Sequence, residues 1–199
     1  MQSHPLLALS LVSLLAACGG GGSGALGSSA LPGPPEFNAL VLEAEAQAEK
    51  LDTLVATTTL PGADGVAYSG TFLAIESLDD AGDALVSSLN LTMNFGSETM
   101  TGDASDFYLV RVDSEGDATG PASSVAGSLD FASSNVSTGG FDVQMSGDLF
   151  FEGALRDASG DALGGALGQT SSDVDMVTFI GEISMAGTST TLLGAGTAD

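Results

Sequence analysis

One cysteine and one histidine are the only residues of this chain that could supply a thiol or an imidazole for catalysis. His4 and Cys18 lie on either side of the apolar run 6–17, LLALSLVSLLAA. That run is shorter than the roughly 20 residues that a helix needs to span a bilayer. It has the length of the hydrophobic region of a secretory signal peptide, although neither Lys nor Arg precedes it. We therefore predict that residues 1–17 are a signal peptide.

The residues beside the cysteine have the types that lipid attachment requires. Leu15-Ala16-Ala17-Cys18 resembles the bacterial lipobox, in which small side chains flank the cleaved bond and the cysteine thiol takes up a diacylglyceryl group. An ordinary secretory cleavage site with an incidental cysteine is the alternative. From the resemblance to the lipobox we predict that Cys18 is lipidated. Acyl chains attached there would anchor the chain to a membrane, since each buried CH₂ contributes about 0.8 kcal/mol.

The segment after the cysteine predicts where the protein is held. Position 19 is Gly, whereas Asp there favours retention in the inner membrane by the enterobacterial sorting rule. We therefore expect anchoring in the outer membrane of a Gram-negative bacterium, on the periplasmic or the cell-surface face. Residues 18–35 are rich in Gly and Ser and end with Pro32, Pro34 and Pro35, which predicts a flexible tether that is stiffer near its end.

Removal of the signal peptide would leave a chain without histidine, and this excludes most common enzyme sites. Ser-His-Asp and Cys-His arrangements, most zinc sites and histidine-ligated haem all need an imidazole. Only carboxylate chemistry would remain, so we predict that the protein is not an enzyme and has no cofactor. The acidic stretches Asp113–Asp117 and Asp157–Asp161 lack the spacing of an EF-hand, and we interpret both as turns rather than calcium sites, with no metal bound.

The charge of the chain is strongly unbalanced. Lys50, Arg111 and Arg156 stand against 26 acidic residues, which gives a formal net charge of -23. Such a field repels nucleic acid and anionic headgroups, so we predict no nucleic-acid partner. A basic protein surface is a permitted partner, although acidity alone also serves solubility.

A change in hydrophobic period predicts the organisation of the folded part. We predict a helical segment over residues 36–60. Its periodic part, residues 36–56, places four apolar residues on one helical face, with Val41 and Val55 beside it: Leu40, Ala44, Ala48 and Leu51. From residue 65 the apolar residues alternate with polar ones, and turn-forming clusters separate about eight short segments. An up-and-down barrel and a sandwich both fit this pattern.

We predict an all-β fold over residues 61–199, an eight-stranded antiparallel β-barrel preceded by one helix. Glycines within the predicted strands fit the bends of a small closed barrel: Gly70, Gly127, Gly147 and Gly181. An eight-stranded barrel is just wide enough to be filled by side chains or to hold one small ligand. We expect its interior to be filled by Leu89, Leu91, Met93, Phe95, Phe141, Met145 and Phe151.

Several short motifs resemble a known group of surface proteins. They are the lipobox, the Gly-rich tether, YSGTF, LNLTMNFGSETMTGDASDF, VAGSLDF, MSGDLFFEGAL and ALGGALG. Over roughly residues 65–199 the layout is similar to the β-barrel lipoproteins related to the transferrin-binding protein B barrel domain and factor H-binding protein. The resemblance implies a lipid-anchored barrel that binds a macromolecule.

We accordingly expect a monomeric, membrane-anchored binding or surface-display module with a possible protein partner. A structural envelope lipoprotein without a soluble ligand and a lipocalin-type carrier of a small ligand are the alternatives. Binding hot spots are enriched in exposed aromatic residues, which makes Tyr68 and Tyr108 the candidate partner-binding residues. Phe107 and Tyr108 are adjacent in a predicted strand, so we expect Phe107 to point inward and Tyr108 outward.

Overall fold

A computed structural model describes residues 33–75, 82–113, 118–151, 153–185 and 187–198. The signal peptide, most of the tether and Cys18 lie outside these residues. The described chain begins with one helix, α1 (Pro35–Leu51). The strands that follow are β1 (Val55–Ala56), β2 (Val66–Ile75), β3 (Gly82–Asn94), β4 (Thr99–Val112), β5 (Ser123–Val125), β6 (Gly127–Ser133), β7 (Phe141–Phe151), β8 (Ala154–Gly168), β9 (Met176–Met185) and β10 (Thr188–Ala198).

Eight of these strands close into an antiparallel barrel, as the alternating sequence predicts. Each strand in the series β2, β3, β4, β6, β7, β8, β9 and β10 pairs with the next, and β10 pairs with β2 to complete the ring. The short strands β1 and β5 add to the walls, on β8 and β4 respectively. Full closure removes the exposed edges that an open sandwich would leave, and it distinguishes the two folds that the sequence allows.

Two of the glycines that the sequence singles out lie where a side chain would not fit. SSVAGSLDF forms two strands, β5 and β6, and Gly127 opens β6 with a φ of 139°. A Cβ at Gly147 would lie 2.1 Å from the carbonyl oxygen of Ser128 on the neighbouring strand. These positions need glycine because the backbone is left-handed in the first case and too close to its neighbour in the second.

One apolar cluster fills the centre of the barrel. Six of the expected interior residues are buried in it: Leu89, Leu91, Met93, Phe95, Phe141 and Met145. Phe72 packs against Phe107 and Phe131, with ring centroids 6.2 and 5.8 Å apart, and Phe131 continues the chain of rings to Phe179 at 5.5 Å. Phe151 is the exception, because it is only partly buried at one end of the barrel.

The helix is shorter than the sequence suggests. It ends at Leu51, where the hydroxyl of Thr53 donates a hydrogen bond of 2.7 Å to the carbonyl oxygen of Lys50. Val55, expected on the buried helical face, instead pairs with Gly168 in β1 and is 49% exposed. Thr and Val are β-branched, so they favour strand over helix. The strand also needs a partner, and the pairing of β1 with the distant β8 cannot be predicted from the local hydrophobic pattern.

The helix lies against the outside of the barrel. Phe37 packs against Tyr108 near the end of β4, and Lys50 donates a hydrogen bond of 3.3 Å to the carbonyl oxygen of Asp175, between β8 and β9. Apolar side chains on the outer faces of β2, β3, β4 and β10 complete this contact. The helix therefore runs from the end of the barrel marked by Ile75, Val112, Phe151 and Met185, here called the proximal end, to the opposite, distal end.

Asp157–Asp161 does not form the expected turn. The stretch lies within β8, where Asp157 pairs with Asp148 and Asp161 pairs with Gln144. The chain turns earlier, at Gly153, which has a φ of 80°. Glycine and serine in the stretch fit this crowded strand, since a Cβ at Gly160 would lie 2.2 Å from the carbonyl oxygen of Glu182. The other acidic stretch, Asp113–Asp117, lies outside the described residues beyond its first member.

Candidate functional site

The two tyrosines expected on the surface are buried, so the expectation of exposure is wrong. Tyr68 is 2% exposed, and its hydroxyl donates a hydrogen bond of 3.0 Å to the carbonyl oxygen of Val174. Burial, together with the charge of Asp175, raises the pKa of Tyr68 to about 12. A hydroxyl that is buried and already bonded within the chain is poorly placed to contact a partner.

Tyr108 does face outward while Phe107 joins the interior cluster, as the alternation predicts. It is nevertheless only 8% exposed, because Phe37 of α1 covers it with a ring-centroid distance of 5.9 Å. Burial raises the pKa of Tyr108, and the charges of Glu36 and Asp106 act in the same direction. The geometry therefore leaves neither tyrosine as an accessible hot spot.

In the part of the chain that the structure describes, no helix lies over the opposite side of the barrel. We call the exposed, outward-facing residues of β6, β7, β8 and β9, with Asp103 of β4 at the edge, the bare wall. Its centre is a ladder of exposed cross-strand pairs on β7 and β8: Asp142 with Leu163, Gln144 with Asp161, Ser146 with Ser159, Asp148 with Asp157, and Phe150 with Leu155. All ten of these side chains are exposed to solvent.

The bare wall is acidic. Carboxylates stand directly opposite one another in the pairs Asp103 with Asp130, Asp148 with Asp157, and Asp161 with Glu182. Like charges at such positions are destabilising, because their Cβ atoms are only about 5 Å apart. A hydrogen bond with Asp157 raises the pKa of Asp148, and some loss of hydration and the charge of Asp157 raise it further. The two carboxyl groups can thus share a proton.

Among the described residues, no basic side chain lies on the bare wall. Lys50 lies on α1, and Arg111 and Arg156 lie on strand faces that point into the barrel. Some of the carboxylates instead accept hydrogen bonds from neutral groups. Glu182 accepts one of 3.0 Å from the hydroxyl of Ser189, and Asp142 accepts one of 2.8 Å from the amide of Asn135.

A wide, open groove of about 1060 Å³ crosses the bare wall from β6 to β10. Carboxylates line it from several strands, and small hydroxyl side chains form much of the rest: Asp130, Asp142, Asp161, Glu182, Ser146, Ser159, Ser184 and Ser189. The groove is shallow enough for solvent to reach its acids. Its chemistry suits donors and cations rather than anions or purely apolar ligands.

Large apolar side chains are exposed within the same wall. Phe150 is 50% exposed and Leu155 is 63% exposed, and they lie opposite each other beside the Asp148–Asp157 pair. Leu163, at 62% exposure, lines the groove opposite Asp142. The sequence carried a signal for the first of these residues, since adjacent Phe150 and Phe151 in one strand cannot both face the interior.

The described residues include no cluster of three or more His, Cys, Asp or Glu side chains arranged to hold a metal ion. Within the same residues, no helix combines the length and hydropathy needed to cross a membrane. In the comparisons with known proteins, neither a protein-family model nor a curated protein matches the chain.

Proposed function

We propose that the protein is a lipid-anchored protein-binding module of the outer membrane, and that its bare wall binds a basic surface of another protein. The observation that supports this is the exposure of Phe150, Leu155 and Leu163 beside carboxylates, on a wall that none of the described elements covers. Exposed apolar residues ringed by charge are typical of interaction surfaces. Nucleic acid and anionic lipid would be repelled by the same carboxylates.

The two kinds of side chain would have different roles in binding. Phe150 and Leu155 form a contiguous apolar contact that a partner can desolvate, which is the usual source of binding free energy at an interface. The surrounding acids would attract a basic partner over a longer range and set its association rate. Their mutual repulsion would also fall when cations from the partner lie between them.

The start of the helix indicates which end of the barrel the tether would join. The first described residue, Gly33, lies beside Phe37 and Ala122 at the proximal end of the barrel. Residues 18–32 would connect that point to a lipidated Cys18, and 15 extended residues reach at most about 54 Å. A flexible tether of this length has an average span of about 20 Å. The proximal end would then be nearest the membrane, with the bare wall accessible from the side.

Site-specific photocrosslinking in the native envelope tests this proposal. A photoreactive phenylalanine analogue replaces Leu155 in one strain and Leu42 in another, because Leu42 is 65% exposed but lies on α1, away from the bare wall. We expect a discrete adduct with a protein of basic surface from position 155 only. Equal adducts from both positions, or none from position 155, would contradict the proposal.

Binding of the purified partner then identifies the contributing residues. We expect Phe150→Ser and Leu155→Ser each to weaken affinity at least tenfold through faster dissociation, and Leu42→Ser to have no effect. Added salt should slow association, because the acids act at long range. A dissociation rate that is insensitive to Phe150 and Leu155 would place the interface elsewhere.

A further inference from the structure

The interior of the barrel is not filled at its proximal end. A cavity of about 230 Å³ opens there. Its described lining is mainly apolar, with two hydroxyls and one carboxylate: Ala74, Leu85, Leu109, Val125, Leu149, Phe151, Met185, Thr188, Thr190 and Asp83. This space lies inside the barrel and is separate from the groove on the bare wall, so it calls for an occupant of its own.

Cross-strand register places an apolar row in the inner part of the cavity. Four inward-facing residues pair in series across β10, β2, β3 and β4: Leu192, Ala74, Leu85 and Leu109. One step deeper, Phe72 packs against Phe107 with ring centroids 6.2 Å apart, and neither ring is more than 1% exposed. An apolar group that enters from the proximal end would therefore meet apolar walls and an aromatic floor.

The polar groups of the lining lie nearer the proximal end than this row. Asp83 precedes Leu85 by two residues in β3, and Thr190 precedes Leu192 by two residues in β10. Each polar residue thus lies one step outward on the same face of its strand. The half-buried ring of Phe151 also borders the cavity. The outer part therefore offers hydrogen-bond acceptors, a negative charge and an aromatic face, which together attract a cation.

The charge around the cavity also favours a cation. Asp83 is the only charged residue in the described lining. Arg111 pairs with Asp83 across β3 and β4, but its side chain is exposed and does not line the cavity. Arg156 pairs with Leu149 and likewise does not line it. Since the chain as a whole has a net charge of -23, its field adds to the attraction of Asp83 for a positive group.

We propose that this cavity binds a primary alkylammonium, with the ammonium at Asp83 and the alkyl tail in the inner, apolar part. The ammonium has three N–H donors, and the lining supplies the acceptors in one carboxylate and two threonine hydroxyls. The volume exceeds the roughly 150 Å³ of apolar cavities that admit benzene, and it suits a tail of about six to eight carbons. A quaternary ammonium fits less well, because it has no N–H donor and Phe151 is the one aromatic ring in the described lining.

Calorimetric titration of the full mature chain carrying Cys18→Ser, which removes only the proposed anchor, tests the head group. The ligands share one tail: n-octylammonium, n-octyltrimethylammonium, 1-octanol and octanoate. We expect one saturable site for n-octylammonium, with a dissociation constant at least tenfold below those of the other three. n-Hexylammonium should bind about tenfold more weakly than n-octylammonium, because two fewer methylene groups are buried. Absence of a saturable site, or tighter binding of another head group, would overturn the proposal.

Methyl NMR spectra of the same chain locate the ligand. The methyl signal of Met185, in the lining, should shift as n-octylammonium is added. The methyl signal of Met100, which is fully buried near the start of β4 at the distal end, should not move. An unmoved Met185 signal would place the cation elsewhere, as would be expected if it only collected on the acidic bare wall, and would refute the proposal.

Variants assign the ammonium to its carboxylate. Asp83→Asn should weaken n-octylammonium binding at least tenfold but change 1-octanol binding less than about twofold, since the apolar part stays intact. Arg111→Gln should strengthen n-octylammonium binding several-fold, because it removes the positive charge opposite Asp83. Asp161→Asn removes a carboxylate of the bare-wall groove and is the matched control, with an expected change below about twofold. Equal weakening by Asp83→Asn and Asp161→Asn would refute the assignment, whatever protein the bare wall proves to bind.

Discussion

The hydrogen bond between α1 and the barrel wall gives a quantitative prediction about how firmly the helix is held. Thr71 of β2 donates a hydrogen bond of 2.9 Å to the side-chain oxygen of Gln47, and both residues are 3% exposed. Water therefore cannot replace either partner. Thr71→Val keeps the shape of the side chain but leaves the amide oxygen of Gln47 buried without this donor, a change that costs about 1–3 kcal/mol.

The double variant isolates this interaction from simple loss of packing. Gln47→Leu alone leaves the Thr71 hydroxyl without its acceptor and should cost a similar amount. Gln47→Leu combined with Thr71→Val replaces both polar groups by apolar ones, so its stability should return to within about 1 kcal/mol of wild type. The resulting coupling free energy is then at least about 1 kcal/mol. For a domain of this size, 2 kcal/mol lowers Tm by roughly 4–8 °C.

Urea unfolding of the full mature chain, followed by circular dichroism, measures these free energies. Thr101→Val on the exposed face of β4 is the matched control and should stay within about 0.5 kcal/mol of wild type. Additive losses in the double variant would refute the reasoning. They would show that Gln47 and Thr71 do not bond and that α1 is held by its apolar face alone.

Three further predictions concern the anchor, the acid pair and the interior. Cys18→Ala should abolish labelling by radioactive palmitate and leave an unprocessed precursor; equal labelling of the variant would disprove lipidation at this residue. The fold raises the pKa of Asp148, so protonation of Asp148 stabilises the native state. As the pH falls through that pKa, the unfolding free energy of the wild type should therefore increase relative to that of Asp157→Asn. Asp157→Asn should thus be more stable than wild type at pH 7, and urea midpoints showing the same difference at pH 4 would contradict this. Ser87→Ala should raise the unfolding free energy by about 1 kcal/mol, because the fully buried Ser87 hydroxyl has no hydrogen-bond partner, and a loss of more than 1 kcal/mol would reveal one.

Strand alternation predicts the barrel well because a closed wall imposes a strict inside and outside. Leu89, Leu91 and Met93 face the interior as expected, and the same holds for Phe141 and Met145 on β7. Alternation does not separate covered from bare outer surface, so it could not show that α1 buries Tyr108. That information depends on contacts between residues far apart in the chain.

The sequence does contain a weaker signal for the covered side. The stretches FLAI in β2 and FYLV in β4 are apolar at successive positions, as expected for strands buried on both faces. By contrast, most outer positions of β7 and β8 carry Asp, Ser or Gln, and Phe150, Leu155 and Leu163 are the large apolar exceptions. The difference between the two patterns indicates which side of the barrel the helix covers, and it favours Phe150 over Tyr108 as an exposed aromatic residue.

The like-charge pairs of the bare wall connect stability with the proposed interface. A single substitution to Asn or Gln would remove the repulsion within each of two pairs, Asp148 with Asp157 and Asp161 with Glu182. These side chains are exposed, so packing does not constrain them. The fold therefore does not require them, and solubility would be served equally well by acids placed farther apart. A basic partner surface is the arrangement in which closely spaced carboxylates become favourable, because each cation then interacts with two of them at once.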